Sequence, residues 1–236
     1  MVSEALLGMK KSWDVIVIGA GAAGLFCAAI AGERGKRVLV IDHASVIGEK
    51  IRISGGGRCN FTNIHSAPNH FLSMNPHFVK SALSKYPPKN FIDLIKEHQI
   101  SFHEKHKGQL FCDDSATQIV DMLLADCQRA GVTLRYPESV KDIKNEEGHW
   151  SVYTNTSEEH TQAVVIATGG MPVPAIGATD FAIRFAQQLG LPVIPCRPAL
   201  VPLSFTSEAF AGLSELAGLS VPVLISAGMK GQGYGV

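Results

Sequence analysis

One glycine motif limits the fold of this chain more than any other feature. Gly19, Gly21 and Gly24 are spaced as GxGxxG, between the apolar run "WDVIVI" and the helix-like run "AAGLFCAAIAGERG". In a strand–turn–helix setting, the first glycine permits the tight turn, the second lets a pyrophosphate approach the backbone, and the third lets helix and strand pack closely. A second β-branched run, "KRVLVID", follows. The sequence therefore predicts a βαβ unit with parallel strands and a right-handed crossover.

An acidic residue follows the motif at a meaningful distance. Asp42 ends the second predicted strand, 18 residues after Gly24. A carboxylate at about that distance accepts hydrogen bonds from a ribose hydroxyl pair, and the free N–H groups at the start of the helix favour phosphate. The sequence therefore predicts a dinucleotide site. The alternative is a glycine-rich turn without a ligand, and the motif by itself does not distinguish FAD from NAD.

The first strand and helix also have the composition of a targeting segment. Residues 15–32 are uncharged and mostly apolar, and Lys10 and Lys11 precede them, as in a signal peptide or a short membrane span. Asp14 directly before the run, and glycines at motif spacing within it, favour the buried strand and helix instead.

Composition narrows the function classes. The 236 residues are 46% hydrophobic, which is enough for one or two domains with a real core. The 21 basic and 21 acidic residues cancel, so we expect neither a nucleic-acid partner nor an anionic membrane partner. Five cysteines without a CxxC pair argue against a disulfide framework and a zinc site and favour a cytoplasmic protein. The histidines lack metal-ligand spacing, so no metal is expected.

Patterns along the rest of the chain predict further elements. We expect a loop over residues 44–62, helical material over 81–98 interrupted at Pro87 and Pro88, and an amphipathic helix over 116–131 capped by Asp114 or Ser115. The runs "VTLRY", "SVKDIKN", "HWSVYTN" and "QAVVIATGG" predict one parallel strand, then antiparallel ribbons, then a return to a buried parallel strand. A last helix is expected over residues 178–190.

The run "KIRISGGGRCNFTN", residues 50–63, places three glycines beside polar side chains. Adjacent glycines cost folding free energy because the unfolded backbone has much freedom to lose. One hypothesis is that the bare backbone lies against a cofactor, with Arg58, Asn60 and Asn63 donating to it or to a substrate. The alternative is a turn pinned by its own Asn side chains. Cys59 is either a redox thiol or, as we favour, a small buried apolar group.

Together with "KGQLFCDDSATQIVDMLL", "AVVIATGG" and "RPALVPL", this run resembles bacterial NAD(P)/FAD-dependent oxidoreductases, a group with aminoacetone-oxidase-like and bile-acid-reductase-like members. The resemblance extends from Trp13 to about Ile225. It implies an α/β fold: a Rossmann-like FAD-binding domain of the glutathione-reductase type, with a parallel sheet and a β-ribbon crossover, plus the start of an inserted domain. It implies FAD as cofactor, and NAD(P)H as electron donor by resemblance only.

The resemblance also implies roles for individual residues. The pyrophosphate would be held by Gly19, Gly21, Ala22, Ala23 and Gly24, and the adenosine ribose by Asp42. The pyrophosphate and flavin side would be lined by Lys50, Ser54, Gly55, Gly56, Gly57, Arg58, Cys59 and Asn60. Val140 would contact adenine through its backbone, and Thr168 and Gly169 would pass near the cofactor. No catalytic residue is identified.

The same resemblance sets the expected domain organisation. Residues 1–8 would be a disordered extension, 9–202 the FAD-binding domain, and 203–236 the truncated beginning of an inserted β-rich domain. Family members run longer and return to the first domain, so we expect an uncovered sheet edge and self-association. Two functions stay open: an oxidoreductase that transfers hydride through FAD to a small-molecule substrate, or a non-catalytic fragment with weak or no FAD binding. A tRNA-modifying flavoenzyme is a third option, which the neutral charge disfavours.

Overall fold

The computed structural model describes residues 12–146 and 148–197, residues 212 and 215, and residues 224–226 and 233–235. The chain divides into two compact units, residues 1–193 and residues 194–236. The expected extension over residues 1–8 lies outside the described residues. The predicted domain boundary at residue 202 also lies outside them and stays a prediction.

Helices and strands alternate through the first unit. In chain order they are β1 (Trp13–Ile18), α1 (Ala22–Glu33), β2 (Val38–Ile41), α2 (Glu49–Ile53), β3 (Asn60–Asn63), α3 (Lys80–Lys85), α4 (Pro88–Glu97), β4 (Phe102–Glu104), β5 (Gln109–Cys112), α5 (Thr117–Arg129), β6 (Thr133–Arg135), β7 (Val140–Glu146), β8 (His149–Thr154), β9 (Glu158–Ile166) and α6 (Phe181–Gln188). Short 3₁₀ turns cover Ser54–Gly56, Pro68–His70 and Pro174–Ile176. None of the helices in these described ranges combines the length and apolarity needed to cross a membrane.

The predicted βαβ unit is present at the centre of the main sheet. In the described part of the chain, six strands form this sheet in the order β6-β2-β1-β9-β8-β7. β1 pairs with β2 in parallel, β2 with β6 in parallel, and all four residues of β2 are buried. The apolar run over residues 15–32 is divided between β1, the glycine turn and α1, so the buried-strand interpretation is confirmed and the fold is Rossmann-like.

The predicted ribbon crossover is confirmed, and strand β9 connects the ribbon to the rest of the sheet. The first half of β9 pairs with β8 antiparallel, through Trp150 and Thr161, and β7 pairs with β8 antiparallel. The second half of β9 pairs with β1 in parallel, as in the pair Ile16 and Val164. One strand therefore joins the antiparallel ribbon to the parallel centre of the sheet.

Helix α5 packs on α1 and forms much of the core beneath the sheet. Its predicted apolar stripe, Ile119, Leu123 and Cys127, is buried, and the Cys127 thiol lies 3.3 Å from the Leu25 carbonyl. The predicted cap at Asp114 or Ser115 was wrong, since the N-cap position is Ala116, but the neighbouring Ser115 hydroxyl accepts the Thr117 N–H at 3.1 Å. The two proline-separated helices also form as predicted, as α3 and α4.

The expected loop over residues 44–62 was wrong in part. That segment contains α2, a 3₁₀ turn and the start of β3. β3, β5 and β4 form a separate antiparallel sheet that the sequence analysis missed, with Leu110, Phe111 and Cys112 buried on it. These strands are three or four residues long, so they are too short for an alternating pattern to stand out.

The second unit is described only in short pieces. β10 (Leu224–Ser226) pairs antiparallel with β11 (Gly233–Gly235), in a register that joins Ile225 and Tyr234. The assignment of this hairpin to an inserted domain stays a prediction.

A charged cluster joins the two halves of the main sheet. Glu159 on β9 accepts a hydrogen bond from Arg135 at 2.5 Å and one from the Trp13 indole at 2.8 Å. Burial of the carboxyl would raise the pKa of Glu159, but hydrogen bonds from Arg135, Trp13 and Ser157 outweigh burial and hold it below its usual range. The ionised carboxylate therefore stabilises the folded chain.

Glu159→Gln is expected to lower the free energy of unfolding by about 1–2 kcal/mol at neutral pH, because bonds to a charged group are replaced by weaker neutral ones. The folded-state pKa is depressed, so this contribution is present above the unfolded pKa of about 4.3 and is lost as pH falls through the folded pKa. Urea unfolding of both chains over acidic to neutral pH measures the difference. Asp93→Asn, which removes an exposed ion pair with Lys89, is the control and should change little. A difference that persists unchanged at low pH would contradict the assignment.

Candidate functional site

A cavity lies at the carboxyl ends of β1, β2 and β9, where parallel sheets bind ligands. Its volume is about 650 Å³. We call it the main cavity. It is bordered by the glycine turn at Gly19 and Gly21, by Asp42 after β2, by Lys50 on α2 and by Thr168 after β9.

The glycine turn has the geometry that the motif predicts. Gly19 has a φ of +107°, and its N–H donates to the Ile41 carbonyl at 2.8 Å. A Cβ on Gly24 would lie 1.9 Å from the Gly19 carbonyl oxygen, so α1 contacts the turn closely only because Gly24 has no side chain. Apart from its two chain neighbours, no residue that the structure describes would lie within 4 Å of a Cβ on Gly21, so the space beside Gly21 is open.

Asp42 is held in place by two main-chain donors. Its Oδ2 accepts the Ala20 N–H at 2.6 Å, and its Oδ1 accepts the Ala44 N–H at 2.8 Å. The His43 ring nitrogen Nδ1 lies 3.7 Å from Oδ1. Each carboxylate oxygen has two lone-pair directions, so both can also accept a hydrogen bond from a hydroxyl group of a ligand.

Two further polar groups of the main cavity, the Thr168 hydroxyl and the Lys50 ammonium, have capacity for more hydrogen bonds. The Thr168 hydroxyl oxygen is buried and has no hydrogen-bond partner among the described residues. Lys50 donates from Nζ to the Gly170 carbonyl at 2.8 Å. An ammonium group has three donors, so two remain for a phosphate at this edge of the main cavity.

A smaller cavity of about 220 Å³ adjoins the main cavity and shares Gly19, Asp42 and Thr168 with it. We call it the side cavity. Val140, at the start of β7, lines it, in the place where the resemblance puts the adenine. The β7–β8 register shifts between Val140 and Asp142.

Twelve of the predicted residues line cavities. Those on the main cavity are Gly19, Gly21, Ala22, Ala23, Asp42, Lys50, Ser54, Cys59, Thr168 and Gly169. Val140 lines the side cavity, and Asn60 lines a third cavity described below. Gly24, Gly55, Gly56, Gly57 and Arg58 are not among the residues that line these three cavities. Their contact with a cofactor stays a prediction.

The three-glycine run forms a turn that main-chain bonds hold. Gly55, Gly56 and Gly57 have φ values of +59°, +68° and +84°, which side chains disfavour. The Gly57 carbonyl accepts the Ala116 N–H at 2.7 Å, and the Arg58 carbonyl accepts the Cys112 N–H at 2.9 Å. The glycines are therefore required by the turn itself.

Asn63 and Cys59, which follow the glycines, have structural roles. The Asn63 amide donates to the Lys107 carbonyl at 2.9 Å, so Asn63 holds the β4–β5 loop. Burial raises the pKa of the Cys59 thiol, although a hydrogen bond with Ser54 partly offsets it. Cys59 is free, and its thiol is protonated at neutral pH, which favours the structural interpretation over a redox thiolate.

Several cavity residues carried no signal in the sequence. The main cavity is also lined by Ala20, His43, Ala44, Val46, Gly48, Glu49, Ile51, Ile166, Ala167, Ile176, Gly177, Ala178 and Ala182, and the side cavity by Glu138, Ser139, Thr179, Phe181 and Arg184. Some of them, such as Ala20 and His43, are sequence neighbours of predicted residues, so the glycine motif and Asp42 could have located them. Those from the ribbon and the start of α6 reach the site only through folding. Among the described residues, no cluster of His, Cys, Asp and Glu is arranged to hold a metal ion.

Comparison with known proteins agrees with this geometry. Residues 13–231 match the family described as HI0933-like protein Rossmann domain. The chain is 48% identical over 217 residues to the ribosomal RNA dihydrouridine synthase of Escherichia coli (strain K12), covering 92% of this chain and 54% of that protein. It is 25% identical over 199 residues to the 3-dehydro-bile acid delta(4,6)-reductase of Clostridium scindens, covering 83% of this chain and 48% of that protein.

A solved glycine oxidase from Bacillus cereus ATCC 14579 is 15% identical, with a TM-score of 0.49 over 70% of this chain and 57% of that chain. The chain spans about half the length of the curated relatives that it matches. By the match over residues 13–231, the chain belongs to the HI0933-like Rossmann family.

Proposed function

We propose that this chain is the FAD-binding part of a flavoenzyme that reduces a uridine base in ribosomal RNA. The cofactor half of the proposal is supported by the main cavity and its glycine turn. The substrate half is supported by relatives at 48% and 46% identity that are named ribosomal RNA dihydrouridine synthases. This chain covers 54% and 55% of those relatives.

The single observation that carries the cofactor assignment is the open space at Gly21, between a fixed carboxylate and an unpaired hydroxyl. Apart from its two chain neighbours, no described residue has an atom within 4 Å of a Cβ placed there. Asp42 is held by two N–H donors, and the buried Thr168 hydroxyl has no partner in the described chain. The FAD pyrophosphate would occupy the space at Gly21, and a ribose of the cofactor would bind Asp42. A further polar atom of the cofactor would pair with the Thr168 hydroxyl.

Each part of the cofactor then has a partner in this chain. The N–H groups at the start of α1 and the Lys50 ammonium would hold the pyrophosphate. Asp42 would accept the ribose hydroxyls, and the side cavity at Val140 would enclose the adenine. Bound FAD, when reduced, supplies a hydride. The residues of this chain bind and orient the cofactor.

The proposed reaction adds two hydrogens to uracil. The double bond between C5 and C6 becomes a single bond, one carbon receiving a hydride and the other a proton, which gives dihydrouridine. The two electrons come from an external donor, for which a reduced nicotinamide is our expectation by resemblance.

Asp42→Ala is expected to weaken FAD binding about tenfold to a hundredfold, because charge-assisted hydrogen bonds to the ribose worth about 1.5–3 kcal/mol are lost. Fluorescence titration with FAD measures the affinity. Asp14→Ala is the matched control, since Asp14 also accepts a main-chain N–H, from Arg37 at 2.7 Å, at the opposite end of β1. Equal affinities in the wild-type chain and Asp42→Ala would remove Asp42 from the site.

The reaction is tested on ribosomal RNA from cells that lack dihydrouridine at the target position. The RNA is incubated with the chain, FAD and reduced nicotinamide, then digested and analysed by mass spectrometry. The expected product is a uridine that has gained two hydrogens, with the E. coli relative as positive control. A chain without flavin absorbance after reconstitution would overturn the cofactor assignment and support the alternative of a non-binding fragment.

A further inference from the structure

We infer that the segment of residues 50–92, which runs from α2 to the start of α4, binds single-stranded RNA. This inference rests on the proposed function, because it names the surface that would hold the ribosomal RNA substrate. It is carried by the distribution of charge and of exposed apolar side chains.

The segment of residues 50–92 contains no acidic residue. It holds six of the 21 Lys and Arg residues and three of the nine His residues, while all 21 Asp and Glu residues lie elsewhere. Glu49 and Asp93 mark its two ends. The net charge of zero is therefore the sum of a basic segment and an acidic rest of the chain. For this reason the net charge does not indicate what the segment binds.

The same segment exposes large apolar side chains. Leu72 and Met74 are each 97% exposed, Phe78 is 77% exposed and Phe71 is 44% exposed. Lys80 and Lys85 on α3 are exposed, and neither has an ion-pair partner among the described residues. An aromatic ring and two unpaired ammonium groups thus lie within a few residues of one another.

This combination matches the chemistry of single-stranded RNA. Unpaired bases stack on exposed aromatic rings, while lysines neutralise the phosphates. A partner protein with an acidic face would use the lysines but would gain less from an exposed ring such as Phe78, which is 77% exposed. RNA uses both features.

The segment also lines a third cavity, which we call the aromatic cavity. Its volume is about 480 Å³, and its walls include Phe61, Phe71, Tyr86 and Phe91, with Asn60 as a polar group. Phe61 and Phe91 lie 6.0 Å apart between ring centroids. The aromatic cavity has room for an unstacked base, as enzymes that act on a base require.

The aromatic cavity adjoins the proposed cofactor site. It shares Ala22, Ala23, Ile51 and Cys59 with the main cavity. RNA held on the basic segment would therefore lie next to the cavity that is assigned to FAD.

The test is the binding of a fluorescent single-stranded RNA to the full chain, without FAD or reductant, across a range of salt. The double variant K80E/K85E should bind about tenfold or more weakly at low salt, and its plot of log affinity against log salt should flatten by about 1.4 or more. The matched control K36E/K141E gives the same change in net charge on exposed residues outside the segment. Its affinity should stay within about twofold of wild type.

Phe78→Ser is the second variant. It should weaken binding about tenfold at every salt concentration without changing the salt slope, since stacking is lost and charge is kept. Equal weakening in the two charge-swap variants, or no measurable RNA binding by a wild-type chain that binds FAD, would overturn the inference and leave the cofactor assignment standing. A chain that binds RNA through Lys80 and Lys85 but fails the FAD titration would overturn the proposed function alone.

Discussion

Gly21→Ala is expected to weaken FAD binding at least about a hundredfold while leaving the thermal stability of the chain unchanged. Gly21 has a φ of −87° and a ψ of −169°, which alanine adopts without strain, and a Cβ there meets no atom within 4 Å among the described residues other than its two chain neighbours. The added methyl group would instead occupy the space of the pyrophosphate, which must approach the backbone at this position. The cost would therefore fall on the complex with FAD and not on the folded chain.

Two measurements test this. Titration with FAD gives the affinity, and thermal unfolding without FAD gives the stability. Tight binding by Gly21→Ala would show that the pyrophosphate does not lie at the glycine turn. A large fall in melting temperature would show that the space beside Gly21 is filled in the folded chain.

Gly24→Ala is expected to do the reverse and destabilise the chain itself. Its Cβ would lie 1.9 Å from the Gly19 carbonyl oxygen and 3.3 Å from the Ala167 side chain. The close contact is with backbone, so α1 must move away from the turn, at a cost of about 1–3 kcal/mol. For a chain of this size we expect the melting temperature to fall by roughly 2–12 °C.

Gly21→Ala is the matched control for Gly24→Ala, because both add one methyl group to the same turn. Displacement of α1 would also move the N–H groups that receive the pyrophosphate, so FAD binding should fall as well. If Gly24→Ala unfolds at the wild-type temperature, α1 does not pack against the turn as described.

Much of the fold could be predicted because its signals are local. β1, α1 and β2 follow from two β-branched runs around a glycine motif, and α5 follows from a stripe of apolar residues at helical spacing. Asp42 was found because a carboxylate after the second strand has a fixed position relative to the turn. Each of these signals is contained within a short stretch of chain.

The parts that were missed depend on distant contacts. β3, β4 and β5 are short and gain their order only by pairing with one another. Glu138, Thr179 and Arg184 reach the side cavity from the ribbon and from the start of α6, and neither segment has a motif for a ligand. The glycines at 55–57 fit two explanations that the sequence does not separate. A positive φ requires glycine, and so does the close approach of a ligand to the backbone.

Strand β9 has a consequence for how the chain folds as it is made. β1 lies between β2 and β9, and its pairing with β9 joins Trp13 to Thr161 and Ile18 to Ile166. At a synthesis rate of about 5–20 residues per second, β1 waits on the order of ten seconds for this neighbour. Throughout that interval one edge of an apolar parallel strand is open, and such long-range pairings form slowly even in a complete chain. The hydrogen bonds on the β9 side of β1 can therefore form only after the ribbon has been synthesised.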